Sequence, residues 1–194
     1  MIAAVEDVVS EAVVRRLIAE VRPDLTISAV MRKNGRGYVY SRIRELNRTA
    51  RAIPVLVIVD LDAPVPCPAD LIRRWLPFPR SSKLLFRFAV MEIESWVMAD
   101  RDAFAQFLSV PLDRVPTDPD IIRQPKEYVV SLARRARRKE VRDDLVPSAG
   151  DTRVVGPAYN ARLTAFVAET WDPIAAAKTS QSLRRTMERL TAAF

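Results

Sequence analysis

Histidine is absent from this chain of 194 residues, and that absence alone removes much enzymology. No Ser-His-Asp triad, Cys-His pair, histidine-bearing metal finger or imidazole general base can be assembled. The lone cysteine, Cys67, excludes an intrachain disulfide and a thiolate zinc cage and suits a reducing cytoplasm. Four glycines leave no phosphate-cradling loop. Neither G-x-G-x-x-G nor G-x-x-x-x-G-K-[ST] is present, which argues against Rossmann and P-loop nucleotide sites. No apolar run approaches the ~20 residues of a membrane span. The opening MIAAVEDVV reaches Glu6 and Asp7 too early, and lacks the basic n-region, for a signal peptide. A cytoplasmic protein without a membrane partner is expected, and its acid–base or metal chemistry must fall to carboxylates, Lys, Tyr or backbone groups.

Lysine is also scarce: five (Lys33, Lys83, Lys126, Lys139, Lys178) among 31 basic residues, the rest arginine. The net charge is +7. Guanidinium forks suit phosphate and carboxylate alike, so the balance favours an acidic partner, nucleic acid first. An Arg- and Ala-rich, Lys-poor composition equally reflects a GC-rich genome.

What is present alternates strand and helix signals through the first two thirds. IAAV (2–5) is a short strand, followed by a helix in which Val9, Val13, Val14, Leu17 and Val21 recur at helical spacing. TISAVM (26–31) reads as a strand and leads into a glycine turn and a basic amphipathic helix over 38–51. PVLVIVD (54–60) is the clearest strand, aliphatic throughout its middle as in a parallel sheet covered on both faces. A Pro-rich loop and a short helix ending near Trp75 precede LLFRFAVM (84–91), a fourth strand, and a helix from Glu92 to about Leu108. The order predicts an α/β fold with a mostly parallel sheet and right-handed crossovers over 1–108. From 109 to 194 the strand signal disappears. A Pro/Asp-rich linker is followed by helices over 127–145, 158–171 and 174–193, a helical extension expected to pack on the core in one compact unit.

Three strand ends carry acids: Glu6, then Asp60 and Asp62, then Glu92 and Glu94. In open α/β sheets the functional crevice lies beyond the carboxyl ends of the strands. Carboxylates gathered there raise one another's pKa unless a cation compensates, and a hard cation such as Mg²⁺ takes oxygen ligands while keeping several waters. Each acid also has a plainer role. Glu6 equally suits an N-cap, Glu92 and Glu94 suit the first turn of a helix, and Asp60-x-Asp62 is expected to share a pleat face.

Glu after strand one, D-x-D after strand three and a further acid after strand four resembles the Toprim fold of topoisomerases, primases and the overcoming-lysogenization-defect (OLD) nucleases. The chain is more similar to a Toprim-like group, domain of unknown function 4276. The residues that carry this resemblance are Val5-Glu6-Asp7 with Ser10-Glu11, Val57–Asp62, Glu92–Asp100, Gly156-Pro157-Ala158-Tyr159, Trp171-Asp172-Pro173 and Ser182-Leu183-Arg184-Arg185. Many Toprim domains have Gly after the first Glu, where this chain has Asp7. The added side chain either crowds a close nucleic-acid approach or supplies another ligand.

The resemblance implies a phosphodiester hydrolase dependent on Mg²⁺ (or Mn²⁺) and acting on nucleic acid, in a phage-defence or mobile-element setting beside a partner ATPase. Glu6 would be metal ligand or general base, supported by Glu11. Asp60 and Asp62 would bind metal, and Glu94, ahead of Glu92, would complete a second position. With no nucleophilic Tyr in an evident motif, the chain does not read as a topoisomerase. A degenerate scaffold binding a partner protein or nucleic acid, and a phosphotransferase on a small phosphorylated substrate, are the rival readings; a homo-oligomer is open to all three. Basic residues Arg134, Arg135, Arg137, Arg138 and Lys139, predicted around one helix, and Arg184 and Arg185 are candidate phosphate contacts. Lys33, Arg36 and Arg42 near the GRG turn join them if the fold brings them close.

Overall fold

The computed structural model describes residues 1–32, 35–62 and 68–194, so all the candidate acids are described, while Lys33 and Cys67 lie outside the described residues. Four strands, β1 (Ile2–Val5), β2 (Ala29–Arg32), β3 (Val55–Asp60) and β4 (Leu84–Ala89), form one parallel sheet in the order β2-β1-β3-β4. The fold is α/β, as the alternating signals predict. Between the strands run α1 (Val8–Val21), α2 (Arg36–Thr49) and α3 (Pro68–Trp75).

Alternation along the strands divides the core. Ala3 and Val5 of β1 and Leu56 and Ile58 of β3 face α1 and the helices that follow the sheet. Ala4, Val55, Val57 and Val59 face α2, through Val39, Ile43 and Leu46, and α3, through Trp75. The Trp75 ring meets Phe86 and Phe88 of β4 edge-on, at 5.3 and 5.8 Å. With α1 on one face and α2 on the other, the crossovers change direction between the adjacent strands β1 and β3. That reversal is a topological switch point, where such sheets open a crevice.

After β4 come α4 (Ile93–Ala99), α5 (Arg101–Leu108), two 3₁₀ turns at Leu112–Arg114 and Pro119–Ile121, α6 (Pro125–Ala133), α7 (Lys139–Leu145), α8 (Tyr159–Glu169), α9 (Pro173–Ala176) and α10 (Gln181–Thr191). Three helices expected to be continuous are broken. The helix from Glu92 to Leu108 stops at Asp100, whose ψ of 76° ends the helical run and whose carboxylate accepts the Asp172 N–H instead. The helix over 127–145 is interrupted at 134–138, and the one over 174–193 at 177–180, where Ser180 caps α10 by accepting the Leu183 N–H. Each break is fixed by a capping or long-range hydrogen bond that apolar periodicity does not register.

The late helices share the core of the sheet. Trp171, Tyr159, Leu163 and Leu183 pack in the same cluster as Val13 of α1 and Trp96 of α4. Trp96 donates its indole N–H to Ser182 Oγ at 2.6 Å, and Trp171 donates to the Trp96 carbonyl at 3.2 Å, which anchors α4. Among the described residues no helix is long and apolar enough to cross a membrane.

Candidate active site

Asp60 closes β3 at the switch point, and the chain turns there because Asp62 adopts a left-handed φ of 58°, a conformation short Asx side chains tolerate. The turn overturns the expectation that Asp60 and Asp62 share a pleat face, because strand alternation ends at Asp60. Asp60 is 7% exposed and accepts the Ile93 N–H at 2.9 Å, holding the start of α4. Asp62 stands at the rim and pairs with Arg36 at 3.0 Å; Arg36 also donates to the Leu61 carbonyl at 3.3 Å.

Glu6 follows β1 and accepts the Asp60 backbone N–H at 2.9 Å, tying the two central strands together beyond their ends. The N-cap of α1 is Asp7, whose carboxylate accepts the Ser10 N–H at 2.8 Å. The residue standing where many Toprim domains have glycine is thus a cap that adds negative charge beside the site.

Beyond β4, Glu92 reaches sideways and accepts the Lys126 backbone N–H at 2.8 Å, capping the start of α6. Glu94 points inward and is fully buried. One of its oxygens accepts from the Tyr159 hydroxyl at 3.3 Å and lies 3.5 Å from the Lys126 ammonium. The other, Oε2, has no hydrogen-bond partner.

Lys126 and Tyr159 are the side chains at this cluster that sequence reasoning missed. Lys126 enters on the first turn of α6, directly after Pro125. Tyr159 opens α8, delivered by the Gly156 loop, whose N–H donates to the Leu145 carbonyl at 2.9 Å. A Cβ at Gly156 would stand 2.5 Å from the Asp144 carbonyl oxygen and the Leu145 carbonyl carbon, so only glycine permits that approach. The GPAY segment was visible in the sequence as a motif, but not as the carrier of a site tyrosine.

Burial and like charge perturb the cluster together. Burial pushes the Asp60 carboxyl well above the usual carboxylate range, Glu94, Glu6 and Asp7 push it further, and Lys126 opposes them. Glu94 is raised by burial to about 7, again against the pull of Lys126. Glu6 is raised by burial, with its hydrogen bond from Asp60 opposing and Asp62 adding to the rise. Burial lowers the Lys126 ammonium's pKa, but Glu94, Asp7, Glu92 and Asp60 outweigh it and the net shift is upward. Tyr159 is held well above the phenol range by burial and the neighbouring Glu94. Chemically this is a buried carboxyl that titrates near neutrality, held between an ammonium and a phenol at a switch-point crevice.

Glu11 lies elsewhere: it pairs with Arg15 and Arg32, each at 2.9 Å, and ties α1 to the end of β2. Its expected support of Glu6 is therefore not what its carboxylate does. As metal ligands the acids are right in kind, all hard oxygen donors, and Glu94 Oε2 is free. In position the set is incomplete, for among the described residues no three acidic side chains come together closely enough to hold a metal ion. One carboxylate oxygen each of Glu6, Asp60 and Glu92 is engaged by a backbone N–H group.

The basic run expected around one helix instead spans a helix junction. Arg134, Arg135, Arg137 and Arg138 are exposed between α6 and α7, Lys139 is exposed at the first position of α7, and Arg138 donates to the Phe107 carbonyl at 2.8 Å. Arg134 lies about 12 Å along α6 from Lys126, at the rise of a helix. Arg42 is engaged by Glu45 at 2.8 Å and Arg184 faces Glu188 at 3.9 Å; Arg185 is exposed on α10. Compared with known proteins, the chain matches no family model, no curated protein and no solved structure.

Proposed function

We propose that this protein is a Mg²⁺- or Mn²⁺-dependent phosphodiester hydrolase acting on nucleic acid. The observation that carries this reading is the buried, partnerless Oε2 of Glu94, set among acids that raise one another's pKa at the switch point. Asp60, Glu94 and Glu6 would hold the cation once the Asp60 and Glu6 side chains turn from their backbone partners. When bound, it supplies charge neutralisation for the phosphate and a water of lowered pKa.

The chain's own groups have definable work. Glu94, raised to about 7 without a cation, would release its proton on binding one, so metal binding tightens as pH rises through neutrality. Tyr159 fixes its carboxylate by donating to Oε1. Lys126 keeps one positive charge beside the carboxylates and the incoming phosphate. Asp62 and Arg36 form the rim through which substrate enters. The setting implied by the Toprim-like resemblance, phage defence beside a partner ATPase, belongs to the same proposal.

Cleavage of single- and double-stranded DNA and RNA, with and without Mg²⁺ or Mn²⁺, tests it. Metal-dependent cleavage that falls at least about 100-fold in Asp60→Asn, the scale of removing a group acting on the transition state, is expected. Cleavage of none of these polymers, or cleavage indifferent to metal and to Asp60, overturns it.

One observation favours a second reading, a non-enzymatic scaffold. With Lys126 already standing on Glu94 and no three acids converging among the described residues, the ammonium serves as the resident counter-ion. In that case Mn²⁺ leaves the melting temperature unchanged.

A further inference from the structure

About half of the arginines in this protein are committed to partners among the described residues. Arg15, Arg22, Arg42, Arg153 and Arg162 pair with carboxylates, and Arg101 donates to the carbonyls of Leu112 and Val115. The edge of β4 is different. Arg87 lies on that edge strand, half-buried, in register with Ile58 and two residues before the strand's end. Its Nε donates to Thr186 Oγ1 on α10 at 3.2 Å, and Thr186 donates in turn to the Ser182 carbonyl at 2.9 Å. That bond sets the guanidinium against α10 at Thr186, the neighbour in sequence of Arg185, and Arg185 and Arg189 share one helix face at i and i+4. Among the described residues, none of these three forms an ion pair. Burial, then the charges of Arg189, Arg185 and Arg80, hold Arg87 below its ordinary pKa. A half-buried guanidinium surrounded by like charge is costly unless an anion completes the site.

Arg80 extends the series around the sheet edge. Asn47 of α2 holds the turn on both sides of it, donating to the Pro79 carbonyl at 3.0 Å and accepting the Ser81 N–H at 2.8 Å. Two residues earlier, Phe78 and three arginines of the α2 end, Arg44, Arg48 and Arg51, line a cleft of about 350 Å³. The Arg44 guanidinium lies 4.7 Å from the Phe78 ring centre. Among the described residues these three arginines, too, form no ion pair.

We propose that this arginine series is a track for single-stranded nucleic acid: Arg87, Arg185 and Arg189 clamp one backbone phosphate, Arg80 the next, and the Phe78 cleft receives a base. Guanidinium forks match phosphate oxygens bidentately, and an aromatic face beside arginines is a sequence-tolerant stacking platform. The cleft admits one splayed base, which a duplex does not offer. Arg87 lies about 7 Å down the strand direction from the level of Asp60, at the rise of two strand residues, and Arg80 and Phe78 precede the start of β4, so the track leads from there toward the opposite end of the sheet. The polymer's identity rests on the hydrolase reading; the anion site itself does not.

Fluorescence anisotropy with a labelled 15-nucleotide single strand, a duplex of that length and polyglutamate tests the track in the full chain. Arg185→Ala/Arg189→Ala and Arg44→Ala/Arg48→Ala each remove two exposed charges without touching the core. Each is expected to weaken single-strand binding at least about tenfold at physiological salt, and Arg185→Ala/Arg189→Ala, which opens the clamp on one phosphate, to reduce the salt slope by about 0.7. Arg123→Ala/Arg153→Ala should stay within about twofold, the scale of losing distant surface charge. Unchanged affinity and slope in both track variants overturns the proposal, as does absence of nucleic-acid binding or equally tight binding of polyglutamate. Tighter binding of the duplex replaces the single-strand assignment. If the wild type binds in this way but cleaves nothing, the track stands and the hydrolase reading fails; if it cleaves while both track variants bind normally, the reverse holds.

Discussion

Glu94 is fully buried beside Lys126 and Tyr159, and its protonation is a stability property. Its pKa is raised from 4.5 to about 7. Between those values the folded protein holds a proton that the unfolded chain releases. The folded state therefore binds more protons, and stability falls as pH rises through the window, by about 3 kcal/mol from this group. The burial-raised Asp60 and Glu6 act in the same direction. In chelator-treated buffer, urea unfolding of the wild type should show lower stability at pH 8 than at pH 5, and Glu94→Gln should flatten that difference. An unaltered pH dependence in the variant contradicts the assignment. Lys126→Met leaves charged Glu94 without its cation, so the variant should lose more stability at pH 8 than at pH 5, read by the same unfolding curves. An equal loss at both pH values would mean that the ammonium does not compensate Glu94.

At the scale of elements, the site is made by ends: the carboxyl ends of β1 and β3 and the first turns of α4, α6 and α8. The strand-end acids were legible because a buried parallel strand reads as an aliphatic run, and the first polar residue after it marks the crevice edge. That rule marks Glu6, Asp60 and Glu92, with Glu94 two residues on; the preference for Glu94 over Glu92 comes from the Toprim-like resemblance. Lys126 and Tyr159 escape it, because each lies at the start of a helix on the far side of a loop, and no local pattern distinguishes a lysine that reaches a buried carboxylate from one that reaches water. The direction of Asp62 was misread for a related reason: period-two alternation holds only while the strand continues, and the positive φ at Asp62 ends it. Loop geometry also sets a test. Gly156→Ala forces a Cβ into the α7 backbone and should cost about 1–3 kcal/mol, as overpacking does. It should also separate Tyr159 from Glu94, so thermal unfolding and the pH dependence of Glu94 should shift together. Unfolding like wild type would show that the loop accommodates the added carbon.

Across the whole molecule, the two sequence regions that look so different, alternating α/β to residue 108 and helices beyond it, complete one site. The first supplies Glu6, Asp60 and Glu94; the second supplies Lys126 and Tyr159 and packs Trp171 and Leu183 into the core of the first. The net charge of +7 is spread over the surface at this scale, and the arginines around the β4 edge are among those that form no ion pair among the described residues. The absence of histidine makes carboxylates the only side-chain metal set this chain offers. Calorimetric titration of Mn²⁺ into the wild type, Asp60→Asn and Glu94→Gln at pH 7.5 tests that claim most directly. Saturable binding to the wild type that is lost in both variants is the predicted result; no binding to the wild type, or binding indifferent to both substitutions, would contradict it.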